Sequence, residues 1–158
     1  AVNLTGLFLM SKATARQMIK QGRGGKIISI ASRAGKQPVP GSSAYGATKA
    51  AMINFTQGLA QELGQYKINV NAVCPGPVLS WSSLGNAIYE GMKNGLSEDG
   101  AIAKAYKESP IGSINPGPLG GLVKVDDVAN IVAFLASNQS DYMTGQAVNI
   151  SGGRMMLR

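Results

Sequence analysis

Three short apolar runs alternate with stretches of helical periodicity, and that alternation narrows the possible folds more than any other feature of the chain. The runs are "KIISIAS" (26–32), "KINVNAVCPG" (67–76) and "AVNIS" (147–151). The first is β-branched and continuous rather than alternating in polarity, as expected of a strand buried on both faces of a parallel sheet. Pro75 and Gly76 stop the second. Residues 4–21 place Leu7, Met10, Ala13, Ala15 and Met18 at roughly helical spacing, and "GRGG" supplies residues suited to a C-cap. Residues 44–63 and 126–137 read as two further helices, the latter with Asp126 and Asp127 in its first turn. Helix, strand, helix, strand, helix, strand describes βαβ crossovers, hence an α/β layered domain with a parallel sheet. With 158 residues, 44 % of them hydrophobic, and no linker or low-complexity run, residues 1–158 are expected to form one structural unit.

In such sheets ligands bind beyond the carboxyl ends of the strands. Ser32 follows the first strand and Pro75-Gly76 the second. The stretch 78–124 is long and rich in Gly, Ser and Pro, with short helical candidates near 83–94 and 97–109. A connection of this length inside a compact domain is usually functional, and it reads as a lid over about 79–123.

Composition removes several classes of function. With no His and a single Cys, neither a zinc nor an iron site of the usual ligands nor an internal disulfide can be assembled, so no metal is expected. The net charge of +7 comes from lysines and arginines scattered singly or in short groups such as "KQGRGGK". A solvated basic surface accounts for it better than nucleic-acid binding, for which neither a motif nor an aromatic ladder is found. There is no signal peptide and no apolar run of spanning length, so a soluble, cytoplasmic protein without a membrane partner is expected.

The chemistry is carried by "SSAYGATKAAMINF" (42–55). Tyr45 and Lys49 stand four apart, just over one helical turn, and emerge on the same face. A phenol is a poor acid or base at neutral pH, but a nearby ammonium favours the phenolate and makes it a usable proton carrier. A serine hydroxyl at the end of the preceding strand, Ser32, is placed to hydrogen-bond a substrate oxygen that develops charge.

Ser32, thirteen positions before Tyr45, with Lys49 four beyond it and "NVNAVCPGPVLS" following, resembles the short-chain dehydrogenase/reductase family. "VNLTG" at the start is similar to the family's helix with an active-site Asn, and "DYMTGQAVNISGG" to its closing strand. The resemblance implies the C-terminal half of a doubly wound, Rossmann-like α/β fold with a helical substrate lid. It implies that Tyr45 is the acid/base while hydride moves between a substrate carbon and a nicotinamide ring. Lys49 would favour the Tyr45 phenolate and hold the nicotinamide ribose, and Ser32 would orient and polarise the substrate oxygen. Asn3 would hold a water linking Lys49 to solvent. The backbone of Pro75, Gly76 and Val78 would border the nicotinamide, and Ser80 matches the position where the family often has a Thr on the carboxamide.

The family's opening strand, Gly-rich turn and helix are not matched. No G-x-x-x-G-x-G precedes Asn3, and the glycines of "GRGGK" lead into a strand rather than from a strand into a helix. About 80 to 100 residues of βαβ units are therefore expected to be missing, including the position that selects NAD or NADP. The isolated chain is expected to be poorly stable and inactive, and the full-length protein an NAD(P)-dependent enzyme. The lid's length and Ser151, where most members have Asp, look most like the polyol and sugar-phosphate branch. Ser80, Ser82, Ser83 and Asn86 would bind hydroxyls, and Lys93, Lys104 and Lys107 would favour a phosphate. Acetoin or diacetyl and 3-oxoacyl reductases share the same catalytic residues. Helices 4–21 and 44–63 match those that members use to associate as dimers or tetramers, with small residues at Ala13, Ala15, Ala47, Ala50, Ala51 and Gly58. A non-catalytic fragment acting by association is the reading from a different class.

Overall fold

The computed structural model describes residues 2–108 and 117–156, with only the backbone of residues 79 and 81–83. The chain divides into two compact units, residues 1–75 with 128–150, and residues 76–127 with 151–158.

The first unit holds a parallel three-stranded sheet in the order β1-β2-β5, formed by Gly25–Ile30, Ile68–Pro75 and Ala147–Ile150. Ile30 lies opposite Val73, and Cys74 opposite Asn149. A five-residue π-helical turn, Val2–Gly6, leads into α1 (Leu7–Gln21), and α2 spans Ser43–Leu63. Both helices pack on one sheet face: Ala15 of α1 and Ala60 and Leu63 of α2 cluster with Ile27, Ile68 and Val70. Met52 joins Ala31, Ala72 and Cys74 further along the same face. Alternate residues on a strand point to one side, so the side chains of Asn69 and Asn71 lie on the other. There the Asn69 amide donates to the Asp141 and Met143 carbonyls, and the Asn71 amide donates to that of Met143.

Among the described residues the central strand β2 is buried almost throughout, while β1 is an edge strand whose Ile30 is 46 % exposed, so burial on both faces is not met at β1. The α1 stripe also differs. Ser11 and Ala15 are buried, with Leu7 and Met18 against the core, while Met10 and Ala13 face outward. A helix is approached closely where its residues are small, and Ala15 is the α1 residue that joins the sheet cluster.

The second unit contains most of the segment read as a lid. Val78–Leu79 (β3) pairs in parallel with Val123–Lys124 (β4). Helices α3 (Trp81–Lys93) and α4 (Glu98–Glu108) pack through Leu84, Ile88, Ala101 and Ala105. Their approach requires Gly91, where an added Cβ would stand 2.9 Å from that of Ala101. Helix α5 (Val125–Ala136) begins in this unit and continues into the first. The lid residues 109–116 and the side chains of Ser82 and Ser83 lie outside the described residues. Among the described residues no helix is long and apolar enough to cross a membrane.

Candidate active site

The carboxyl end of β1 is where backbone and side-chain chemistry converge. Ala31 N–H continues the ladder to Val73 O at 2.8 Å. Ser32 then turns the chain, extended at φ −169°, and its Oγ accepts the Ala34 N–H at 3.2 Å to cap the 3-10 turn Arg33–Gly35. That contact uses an acceptor position and leaves the hydroxyl proton free to donate.

The turn is seated on the start of α2 by two glycines. A Cβ on Gly35 would lie 2.6 Å from the Lys49 carbonyl carbon, and one on Gly46 would lie 2.9 Å from Ala34 O. Only missing side chains let the backbones approach so closely. The sheet end, the Ser32 turn and the Tyr45 helix are thereby held in one packing arrangement.

Within α2, Tyr45 is 46 % exposed and Lys49 only 8 %. The Lys49 ammonium lies 5.6 Å from the centroid of the Tyr45 ring and donates to Ile30 O at 2.8 Å. A lysine has three donors, so this bond leaves others for a ligand. Burial lowers the pKa of Lys49 from its ordinary 10.5, opposed in part by the charge that Cys74 carries when ionised.

Asn3, in the turn before α1, donates to Thr48 Oγ1 at 3.0 Å, and that hydroxyl donates to Tyr45 O at 2.8 Å. The residue expected to hold a water thus belongs to a hydrogen-bonded chain ending on the Tyr45 backbone. Pro75 closes β2 and is buried. Gly76, Val78 and Ser80 belong to the second unit. There Val78 pairs with Val123, and Ser80 O accepts the Leu84 N–H at the start of α3. Asn86, Lys93, Lys104 and Lys107 are exposed on α3 and α4. Ser151 is buried, and its Oγ accepts the Met155 N–H at 3.2 Å as part of a turn.

Two residues without a sequence signal join the site. Lys36 donates to the Ala147 carbonyl and, at 2.7 Å, to Asn149 Oδ1, tying the Ser32 turn to β5. Cys74 is fully buried. Burial raises its thiol pKa above the ordinary 9.0, with Lys36, the Ser32 backbone N–H and Lys49 acting in the opposite direction.

A serine at a strand end, with a tyrosine and a buried lysine one helical turn apart beside it, forms a set suited to proton transfer at a hydroxyl or carbonyl oxygen. The family model described as enoyl-(acyl carrier protein) reductase matches residues 1–154. The chain belongs to the short-chain dehydrogenase/reductase family. Sorbitol-6-phosphate 2-dehydrogenase of Klebsiella pneumoniae is 38 % identical over 157 residues, covering 97 % of this chain and 55 % of the relative. The crystal structure of sorbitol-6-phosphate 2-dehydrogenase SrlD from Erwinia amylovora superposes with a TM-score of 0.79 at 32 % identity, over 99 % of this chain and 58 % of that one. A 3-oxoacyl-[acyl-carrier protein] reductase with bound NAD from Brucella melitensis has a TM-score of 0.72 at 32 % identity, over 98 % of this chain and 50 % of its own. The likeness confirms the α/β, Rossmann-like class. The chain spans just over half the length of the curated relatives it matches.

Proposed function

We propose that these residues are the catalytic side of an NAD(P)-dependent oxidoreductase that interconverts a secondary alcohol and a ketone, acting on a polyol, sugar or sugar phosphate. The observation that carries this reading is the buried Lys49 ammonium beside the Tyr45 ring, at the strand end that presents Ser32. Tyr45 passes a proton to or from the substrate oxygen, Ser32 donates its hydroxyl proton to that oxygen, and the Lys49 ammonium stands 5.6 Å from the Tyr45 ring centroid.

The donor set also fits the nicotinamide end of the cofactor, since Lys49 has donors left for ribose hydroxyls and Tyr45 is half exposed beside it. Bound there, the nicotinamide supplies the hydride donor or acceptor. In this reading Pro75, Gly76, Val78 and Ser80 border it, and Asn3 steadies the first turn of α2 through Thr48. Likeness to sorbitol-6-phosphate dehydrogenases supports the substrate class, and likeness to the 3-oxoacyl reductase supports a second reading with the same chemistry on an acyl thioester. A cytoplasmic place and self-association through α1 and α2 complete the proposal.

The test is Tyr45→Phe in the protein at the length its source makes, assayed with polyols, their phosphates and a 3-oxoacyl thioester. Turnover is expected to fall by about 10²- to 10⁴-fold, as for loss of a general acid/base, with nicotinamide cofactor affinity nearly unchanged. Retained turnover overturns the role of Tyr45, and preference for the thioester overturns the substrate class.

A further inference from the structure

At the end of the sheet away from Ser32, the first unit contains an open cleft of about 700 Å³, within the usual size of small-molecule sites. It lies at the amino ends of β1 and β2. The basic run "KQGRGGK", which the catalytic reading leaves unused, supplies two of its charges, Arg23 and Lys26, and Lys67 supplies a third. Asp141 is the carboxylate on the wall, and it is engaged by Lys26 at 2.7 Å. Arg23 and Lys67 form no ion pair among the described residues.

The two unpaired cations stand on backbones locked together. Lys67 is in the left-handed region at φ 57°, as is Gly24 at φ 74°. A Cβ on Gly24 would strike Lys67 O, and that same oxygen accepts the Gly25 N–H at 3.2 Å. The lining also includes Tyr142, which is fully exposed. The adjoining segment is tied to β2, because the Asn69 amide donates to the carbonyls of Asp141 and Met143.

We propose that this cleft binds a small phosphate monoester whose organic part is a flat ring. Three cations against one carboxylate leave charge to match a dianion. The Arg23 fork and the Lys67 ammonium receive the phosphate oxygens, and the ring lies on Tyr142. The volume exceeds what a bare phosphate fills. The site is separate from the catalytic one, so its test is independent of the proposed reaction.

The test is a titration followed by amide NMR at physiological salt, on the protein at the length its source makes, with phenyl phosphate and inorganic phosphate as probes. Phenyl phosphate is expected to bind saturably and to move the amides of Gly25 and Ile68. Arg23→Gln combined with Lys67→Gln should weaken it by at least about tenfold, the scale of charge-assisted hydrogen bonds. Tyr142→Ala should weaken phenyl phosphate and leave inorganic phosphate unchanged. Lys20→Gln, from the same basic run but outside the cleft, should have no effect. These residues are exposed, so the rest of the spectrum reports that each variant keeps its fold. Shifts that never saturate, an affinity unmoved by the double substitution, or tighter retention of a DNA duplex than of phenyl phosphate would overturn the proposal.

Discussion

Lys49 and Cys74 are perturbed by the same burial in opposite directions, so their marks on stability differ in sign. Stability rises with pH wherever the unfolded chain binds more protons than the folded one. For Lys49, with its folded pKa below 10.5, the unfolded chain keeps a proton that the folded chain gives up, so the burden of the buried charge lessens as pH climbs towards 10.5. For Cys74, with its folded pKa above 9.0, the unfolded thiol ionises first, so stability is lost as pH rises through 9.0. Urea unfolding of wild type and Cys74→Ala from neutral to alkaline pH is expected to show the wild type losing ground above 9.0, and the comparison with Lys49→Met the reverse trend. The grouping of Ser32, Tyr45 and Lys49 was legible in the sequence because its spacing is local. Lys36 was not, since its partners Ala147 and Asn149 are 111 and 113 residues away and a lone lysine after a turn has no distinguishing pattern. Cys74 was legible only as a thiol too few for a disulfide.

Among the elements, the junction between the Ser32 turn and α2 depends on two backbones in contact. Gly35→Ala is expected to lower stability by about 3 kcal/mol, the upper end for overpacking a fixed site, because the obstructing atom is the Lys49 carbonyl carbon rather than a movable side-chain tip. Chemical denaturation measures this directly, and a change near zero would mean that the turn can lift off the helix. The strands and main helices were readable from their apolar patterns, with β-branched runs for the sheet and 3.6-residue spacing for α2. The inward frame of α1 was not. Its buried centre is Ser11 and Ala15, and small residues carry little periodic signal beside the exposed Phe8, Leu9 and Met10. The face on which α3 and α4 meet was not readable, because its closest approach sets Ala101 against Gly91.

For the molecule as a whole, Phe8, Leu9 and Met10 of α1 and Ala47, Ala50 and Gly58 of α2 are exposed, and exposed apolar side chains on helices with small residues suit association. Sedimentation of the protein at the length its source makes is expected to give a dimer or tetramer, and Leu9→Glu is expected to shift it towards monomer. A wild-type monomer at micromolar concentration would refute association through these helices. The Rossmann-like class was legible at this scale from element order, but the division into two compact units was not, because no change of composition marks Pro75 or Val128. One bond of the site reaches across the scales. In a trans peptide the C=O and the following N–H point opposite ways, and since Ala31 N–H faces β2, Ile30 O faces the side of β1 that pairs with no strand among the described residues. The Lys49 ammonium therefore occupies the very oxygen that a strand docking on that edge would use. Edge pairing and ammonium placement share one oxygen with two lone pairs, and whatever free energy a docking strand adds to or takes from the ammonium's hold on it, the ammonium returns to the strand.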